Sequence, residues 1–375
     1  MRFNDLLKQA VDAGASDVHL HVPLPVMMRV SGRLRPMNDV PLTPRATEAL
    51  VDLMCNEQQR AQFAAKQQID LAYSVPGLGR FRVNLFRQRG SVSAVLRIIN
   101  SDEKALQVVN LPQETIDYFK NQEKGLVLVT GPTGSGKSTT LARILDEINA
   151  THAKMIVTVE DPIEYLHRAK RSIVVQRELG MDAPSFSEAL VAAMRQDPDV
   201  IMIGEIRDHE TAHIAVQAAL TGHLVLSTLH TNDAPSSITR LVNIGLEPFL
   251  VGAAINGVLA QRLVRRLCVH CKQQARPSEE RAEYLQMQGM DPDGVFVAVG
   301  CDRCRGSGYS GRVGIYELLT VDDQLRDVIA RNPNVAEFRR MCIERGMVTL
   351  REDGMRKVAK GLTTVEEVLR VTEAH

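Results

Sequence analysis

Residues 125–148 read GLVLVTGPTGSGKSTTLARILDEI. A short apolar run leads into a glycine-rich loop, and a stretch of helical periodicity comes after it. The loop GPTGSGKST at 131–139 fits the pattern G-x-x-x-x-G-K-[ST]. It lies between an expected strand and an expected helix, the context that gives the pattern its meaning. Glycines there let backbone N–H groups turn inward onto phosphate oxygens, and the helix N-terminus adds its dipole. The expected cradle is Gly131, Pro132, Thr133, Gly134, Ser135, Gly136, Lys137, Ser138 and Thr139. Lys137 is placed to reach the β- and γ-phosphates, and Ser138 to ligate magnesium.

Outward from the loop, further apolar runs alternate with helical stretches: MIVTV at 155–159, VIMI at 200–203 and LVLSTL at 224–229. This alternation predicts an α/β fold with a mostly parallel sheet covered by helices. Ligands of such sheets bind beyond the carboxyl ends of the strands. The residues just past each strand are therefore informative. Glu160-Asp161-Pro162-Ile163-Glu164 stands after the first run, Gly204-Glu205 after the second and His230-Thr231 after the third. Many ATPases end the second strand in an aspartate that holds magnesium, where this chain has Gly204. Glu205 stands one residue further and reaches one methylene longer, so it can hold magnesium directly or through water. Glu164 is then free to polarise the attacking water. The bland alternative for any one of these acids is a solvated loop residue. His223 and His230 flank the LVLSTL run, and seven residues of extended chain span ~23 Å, too far for one shared ion. His230 is expected to sense the γ-phosphate and His223 to be structural.

The chain has 375 residues, with 45 Lys+Arg against 45 Asp+Glu. Zero net charge gives no bulk attraction to nucleic acid or anionic lipid. No apolar run approaches the ~18 residues that cross a bilayer. The N-terminal stretch places Phe3, Leu6, Leu7, Ala10 and Val11 on one helical face, with Gly14 as its stop, and lacks a signal-peptide core. A cytoplasmic location is the expectation. Residues 1–100 read as a small α/β domain, 101–112 as a linker, and 113–375 as the nucleotide-binding domain with a helical tail over 321–375.

The six cysteines include Cys268-x-x-Cys271 and Cys301-x-x-Cys304, with 29 residues between the pairs. Four thiolates suit one tetrahedral zinc, and a site closed by four protein ligands is structural. The segment 268–312 is expected to form around it. Cys55 and Cys342 read as buried packing residues.

GPTGSGKST, VTVEDPIEY, DPDVIMIGEIRD and TGHLVLSTLHT, in this order, resemble the ATPases of type II secretion and type IV pilus machines, the GspE/PilB/PilT family. ASDVHL (15–20) and GRFRVN (79–84) resemble its N-terminal domain. The resemblance implies a PAS-like N-terminal domain and a RecA-like ATPase domain. It implies Glu164 as general base, Glu205 in the magnesium shell, and ATP, Mg2+ and Zn2+ as ligands. It further implies a homohexamer, peripheral at the inner membrane, acting on a platform protein. Arginines from the N-terminal domain reach the nucleotide at a subunit boundary; by position these are Arg82 and Arg97, with Arg87 and Arg89 as alternatives. A guanidinium there stabilises charge on the transferring phosphoryl. Paired cysteines and the C-terminal stretch are similar to assembly members, whereas the short chain is similar to retraction members. The expectation is an assembly motor, with a retraction motor as its rival. A DNA-translocating ring is disfavoured by the charge balance. A regulator without turnover is disfavoured by the two glutamates and the arginines.

Overall fold

A computed structural model describes residues 2–30, 32–99, 106, 109–275, 278–287 and 289–373. The chain divides into two compact units. One comprises Met1–Asp102 with Pro162–Leu166, and the other Glu103–Asp161 with His167–His375. Most of the expected linker at 101–112 lies outside the described residues.

The first unit is an antiparallel sheet of six strands: β1 Ala15–Leu20, β2 Met27–Val30, β3 Arg33–Pro36, β4 Gln68–Val75, β5 Gly79–Gln88 and β6 Ser91–Ile99. Their order is β3-β2-β1-β6-β5-β4. Alternation sends Val18, Phe81, Val83, Leu85 and Leu96 to a core shared with Leu7, Leu50 and Phe63 of the flanking helices. The helix Phe3–Asp12 buries Leu7 and Ala10, and Phe3, Leu6 and Val11 pack at the margin of the same core, so the stripe read from the sequence faces the sheet. The intervening positions of the strands carry a cross-strand row. Arg29 and Arg97 both align with Asp17, and Arg97 aligns with Arg82.

The second unit is built on a seven-stranded sheet. Its strands are β7 Gly125–Thr130, β8 Met155–Glu160, β9 Ile173–Glu178, β10 Val200–Ile203, β11 Leu224–Leu229, β12 Ile255–Leu267 and β15 Tyr309–Thr320, while β13 Gln273–Gln274 and β14 Phe296–Val297 form a separate ribbon. The order is β15-β12-β7-β11-β10-β8-β9, parallel except for β15. Continuous apolar runs are explained by burial of both faces. Leu126 and Leu128 of β7 enter one core with Ile201, Ile203 and Val225, whereas Val127 and Val129 enter another with Ile144, Leu145 and Met202. The chain leaves β7 toward β8 on one side, and β12 arrives on the other. That reversal of direction beside β7 is where open α/β sheets bind ligands.

Three strands of this sheet carry no clear mark in the sequence: β9, β12 and β15. The stretch from Leu250 to Leu263 is a long mixed apolar run, which periodicity alone cannot divide between helix and strand. The structure divides it into the helix Pro248–Ala254 and β12. The cysteine segment, expected to run to residue 312, closes at 308, because Tyr309 and Arg312 already pair with Leu267 and Arg265 of β12.

Candidate functional site

The loop after β7 opens directly into the helix Lys137–Thr151, capped by Gly136 at φ +91°. The first turn of that helix carries no acidic residue, so its positive dipole end is uncompensated. Lys137 is buried and donates from Nζ to the carbonyls of Gly131 (2.9 Å) and Pro132 (3.2 Å), which curls the loop around its ammonium group. The Ser135 hydroxyl is buried without a hydrogen-bond partner among the described residues. A buried orphan donor is costly unless a ligand satisfies it, and a phosphate oxygen fits the position. Gly131 is needed for space: a Cβ there would stand 2.5 Å from the Gln261 carbonyl oxygen and 2.6 Å from Ser135 Oγ.

The neighbouring strands bring further groups to this edge. Thr231, just beyond β11, donates its N–H to Thr130 Oγ1 (2.9 Å), and the two hydroxyls lie 2.6 Å apart. The Thr228 hydroxyl donates to the Gly204 carbonyl at 2.7 Å. These bonds tie the ends of β7, β11 and β10 together. Glu205 is largely buried and ion-paired with Arg207, and its other oxygen lies 3.4 Å from His230 Nε2. The pairing also holds Arg207 more strongly protonated than usual, mainly through the hydrogen bond to Glu205. A Cβ at Gly204 would approach nothing closer than 3.5 Å, so space for a side chain is not what demands glycine there. Ser138, exposed at the helix start, and the Glu205 carboxylate are hard oxygen donors of the kind magnesium prefers. Magnesium, if held by these two groups, would supply positive charge that offsets that of the phosphates.

The structure thus gathers the cradle, Glu205 and His230 within the second unit. His223 is elsewhere, its Nδ1 2.9 Å from the Ala218 carbonyl at the opposite end of β11. Glu160 is buried and accepts hydrogen bonds from Thr158 (2.6 Å) and Gln176 (3.1 Å), a structural engagement. Glu164 is exposed, in the short segment Pro162–Leu166 that groups with the first unit. Arg82 and Arg97 are exposed on adjacent strands of that unit. Arg97 is held by Asp17 at 3.1 Å, while Arg82 forms no ion pair among the described residues. Arg87 is occupied by Glu48 at 2.8 Å, which leaves it less available than Arg82.

The four cysteines converge. All their Sγ atoms lie within 4.8 Å of one another. Cys271–Cys304 and Cys301–Cys304 are 3.7 Å apart and Cys268–Cys301 4.0 Å. Four sulfurs at zinc bonding distance in a tetrahedron sit about 3.8 Å apart, so the residues fit the ion. The backbone N–H groups of Cys301 (3.1 Å) and Gly308 (3.2 Å) point at Cys304 Sγ. Although burial opposes ionisation of this thiol, those donors and the adjacent thiols bring it below the ordinary range. Cys55 and Cys342 are buried apart from this group, as packing residues.

Sequence reasoning passed over several groups around the cradle. Gln261 and Arg262 on β12 and Glu317 on β15 are buried polar residues, and the carboxylate of Glu317 accepts the N–H of Ala234 at 2.8 Å and of Leu350 at 3.3 Å. The available signal was a glutamine inside an apolar strand, and it becomes legible only once β12 is known to be a strand.

A phosphate loop after an interior strand of a mostly parallel sheet, with a histidine after the adjacent strand and an acid after the strand beyond it, defines a P-loop ATPase. The chain belongs to the Type II/IV secretion system protein family, whose model matches residues 2–370. It is 42% identical over 98% of its length to the type II secretion system protein HxcR of Pseudomonas aeruginosa, covering 76% of that protein. It is 40% identical over 98% of its length to the type IV pilus assembly ATPase PilB of Thermus thermophilus, covering 42% of it. Among solved structures it is similar to the pilus retraction motor PilT with bound ADP, at a TM-score of 0.81 and 35% identity over 100% of this chain and 98% of that one. This chain is an ATP-hydrolysing enzyme of the secretion and pilus motor class. No helix among its described residues is long and apolar enough to cross a membrane.

Proposed function

We propose that this chain is a homohexameric motor that hydrolyses ATP to add pilin or pseudopilin subunits to a fibre, working on an inner-membrane platform protein from the cytoplasmic side. The observation that carries the reading is the pairing of a complete phosphate cradle with a converged tetracysteine group in a chain matched by the family model over 2–370. The relatives named as type II secretion protein and pilus assembly ATPase support the direction of work.

Residues 1–100 act as the N-terminal domain that presents Arg82 and Arg97, and residues 113–375 as the motor domain. Lys137 and the loop amides bind the ATP phosphates, with Ser138 and Glu205 in the magnesium shell. Glu164 accepts the proton of the attacking water. His230, next to Glu205, reports the γ-phosphate to the loop after β11. Arg82 and Arg97 act across a subunit boundary. Zinc held by Cys268, Cys271, Cys301 and Cys304 is structural. A retraction motor is the second reading, favoured by the similarity to PilT along the whole chain.

Counting surface fibres and secreted protein in a strain lacking this chain separates the two. Assembly predicts bald cells or retained substrate, restored by the wild-type gene and not by Lys137→Ala. Excess fibres that cannot be withdrawn would overturn assembly in favour of retraction.

A further inference from the structure

β12 runs beside β7 in parallel register, with Ala260 opposite Thr130. The next residue, Gln261, therefore stands level with the start of the phosphate loop. Its side chain is fully buried. Nε2 donates to the Ser135 carbonyl at 2.7 Å. Oε1 accepts from the Thr140 hydroxyl at 2.6 Å. The Ser135 carbonyl can only accept, so the amide has one workable orientation. One side chain thus grips the middle of the loop and the first turn of the adjoining helix.

The glycines of the loop are shaped around this contact. A Cβ on Gly136 would stand 2.7 Å from Gln261 Nε2, and one on Gly131 would stand 2.5 Å from the Gln261 carbonyl oxygen. The next residue of β12 extends the attachment. Arg262 donates to the Asn232 carbonyl at 2.8 Å, in the loop after β11, and its Nη1 would lie 3.2 Å from that same Gly131 Cβ. Six residues beyond Gln261, β12 ends at Leu267 and the chain enters Cys268.

We propose that Gln261 is a positioning residue of the phosphate loop, locking the loop and the first turn of its helix in nucleotide-binding geometry through one bidentate amide. It does not touch the nucleotide. It acts by ordering Ser135 and Thr140, and it makes the strand leading into the tetracysteine segment the wall against which the loop is set. The inference rests on the reading of 131–139 as the phosphate cradle.

The test uses the full chain and a fluorescent ADP analogue. Gln261→Leu removes both hydrogen bonds and should raise the nucleotide dissociation constant about tenfold, the scale of a buried carbonyl left unsatisfied. Thr140→Val removes only one bond and should weaken binding about threefold. In the double variant the two losses should not multiply, because both act through one amide. A side chain that only filled space would give a lowered melting temperature with unchanged affinity. Should Gln261→Leu fail to fold, Gln261→Glu keeps the shape and the acceptor for Thr140 while setting an acceptor against the Ser135 carbonyl, and it should show the same loss. An affinity within twofold of wild type in the folded variant, or multiplying losses, would overturn the proposal. Lys137→Ala is the control for the underlying reading. If it binds nucleotide normally, the cradle assignment itself falls. If it does not bind and Gln261→Leu does, only the role of Gln261 falls.

Discussion

Lys137 is buried among carbonyl oxygens of its own loop, a position that pre-forms the curl a phosphate requires. Lys137→Ala removes both the curl and the charge, so phosphate release should fall to background; activity near that of the wild type would refute the site. Glu164 is assigned to chemistry and not to binding. Glu164→Gln should therefore keep ATP affinity within a few fold and lower kcat on the order of 10²-fold, the usual scale of a lost general base. Collapse of affinity with kcat preserved would exchange its role with Glu205. The phosphate loop was readable from residues alone because each of its positions is constrained by backbone geometry, and the constraint leaves a local pattern. Gln261 left no such pattern. Its meaning depends on which strand lies beside β7, a long-range fact that no window of sequence contains.

At the scale of elements, β12 and β15 join the cradle to the cysteine segment and the tail helices. The four cysteines were legible as a metal set from spacing alone, while the strands that carry them to one point were not. If the cysteines hold the proposed zinc, elemental analysis should find it stoichiometric in the wild type and absent from Cys301→Ser, which lacks one of the four thiolates; structural zinc is worth roughly 10 kcal/mol of local folding free energy, so the segment should unfold with it. Nucleotide binding at the distant cradle should persist, and its loss would show that the segment is not folded independently of the motor core. The tail is fastened by Glu367, whose buried carboxylate accepts the Arg265 N–H (2.9 Å), Arg265 Nη2 (2.7 Å) and Arg370 Nη2 (2.9 Å). Burial by itself would raise its pKa, but the bonds from Arg370 and Arg265 outweigh it and hold the group at about 2, below the ordinary 4.5. The depressed value makes the contribution complete above pH 4.5 and lost as pH falls toward 2. Glu367→Gln should lower the melting temperature at neutral pH by about 5 °C. The gap between variant and wild type should close on acidification across that window. A gap unchanged by pH would mean that the ion pairs do not fasten the tail.

For the whole molecule, the assigned residues are shared between the two compact units. The cradle, Glu205 and His230 lie in one, and Arg82, Arg97 and Glu164 in the other. Sequence order hides this division for Glu164, which comes just after β8 of the second unit yet groups with the first in Pro162–Leu166. The open row of Arg29, Asp17, Arg97 and Arg82 explains how arginines can be presented on a rigid sheet, with Asp17 holding Arg97 in place. In the proposed ring these arginines serve the nucleotide of a neighbouring subunit, so the enzyme must be active only when assembled. Phosphate release by the purified chain, measured against protein concentration and in mixtures of Arg82→Ala with Lys137→Ala, tests this most directly. Specific activity should rise with concentration, and the mixture should recover part of the wild-type rate at boundaries that combine an intact cradle with an intact arginine. Activity independent of concentration, with mixtures that never exceed the separate variants, would contradict a motor whose active site is completed between subunits.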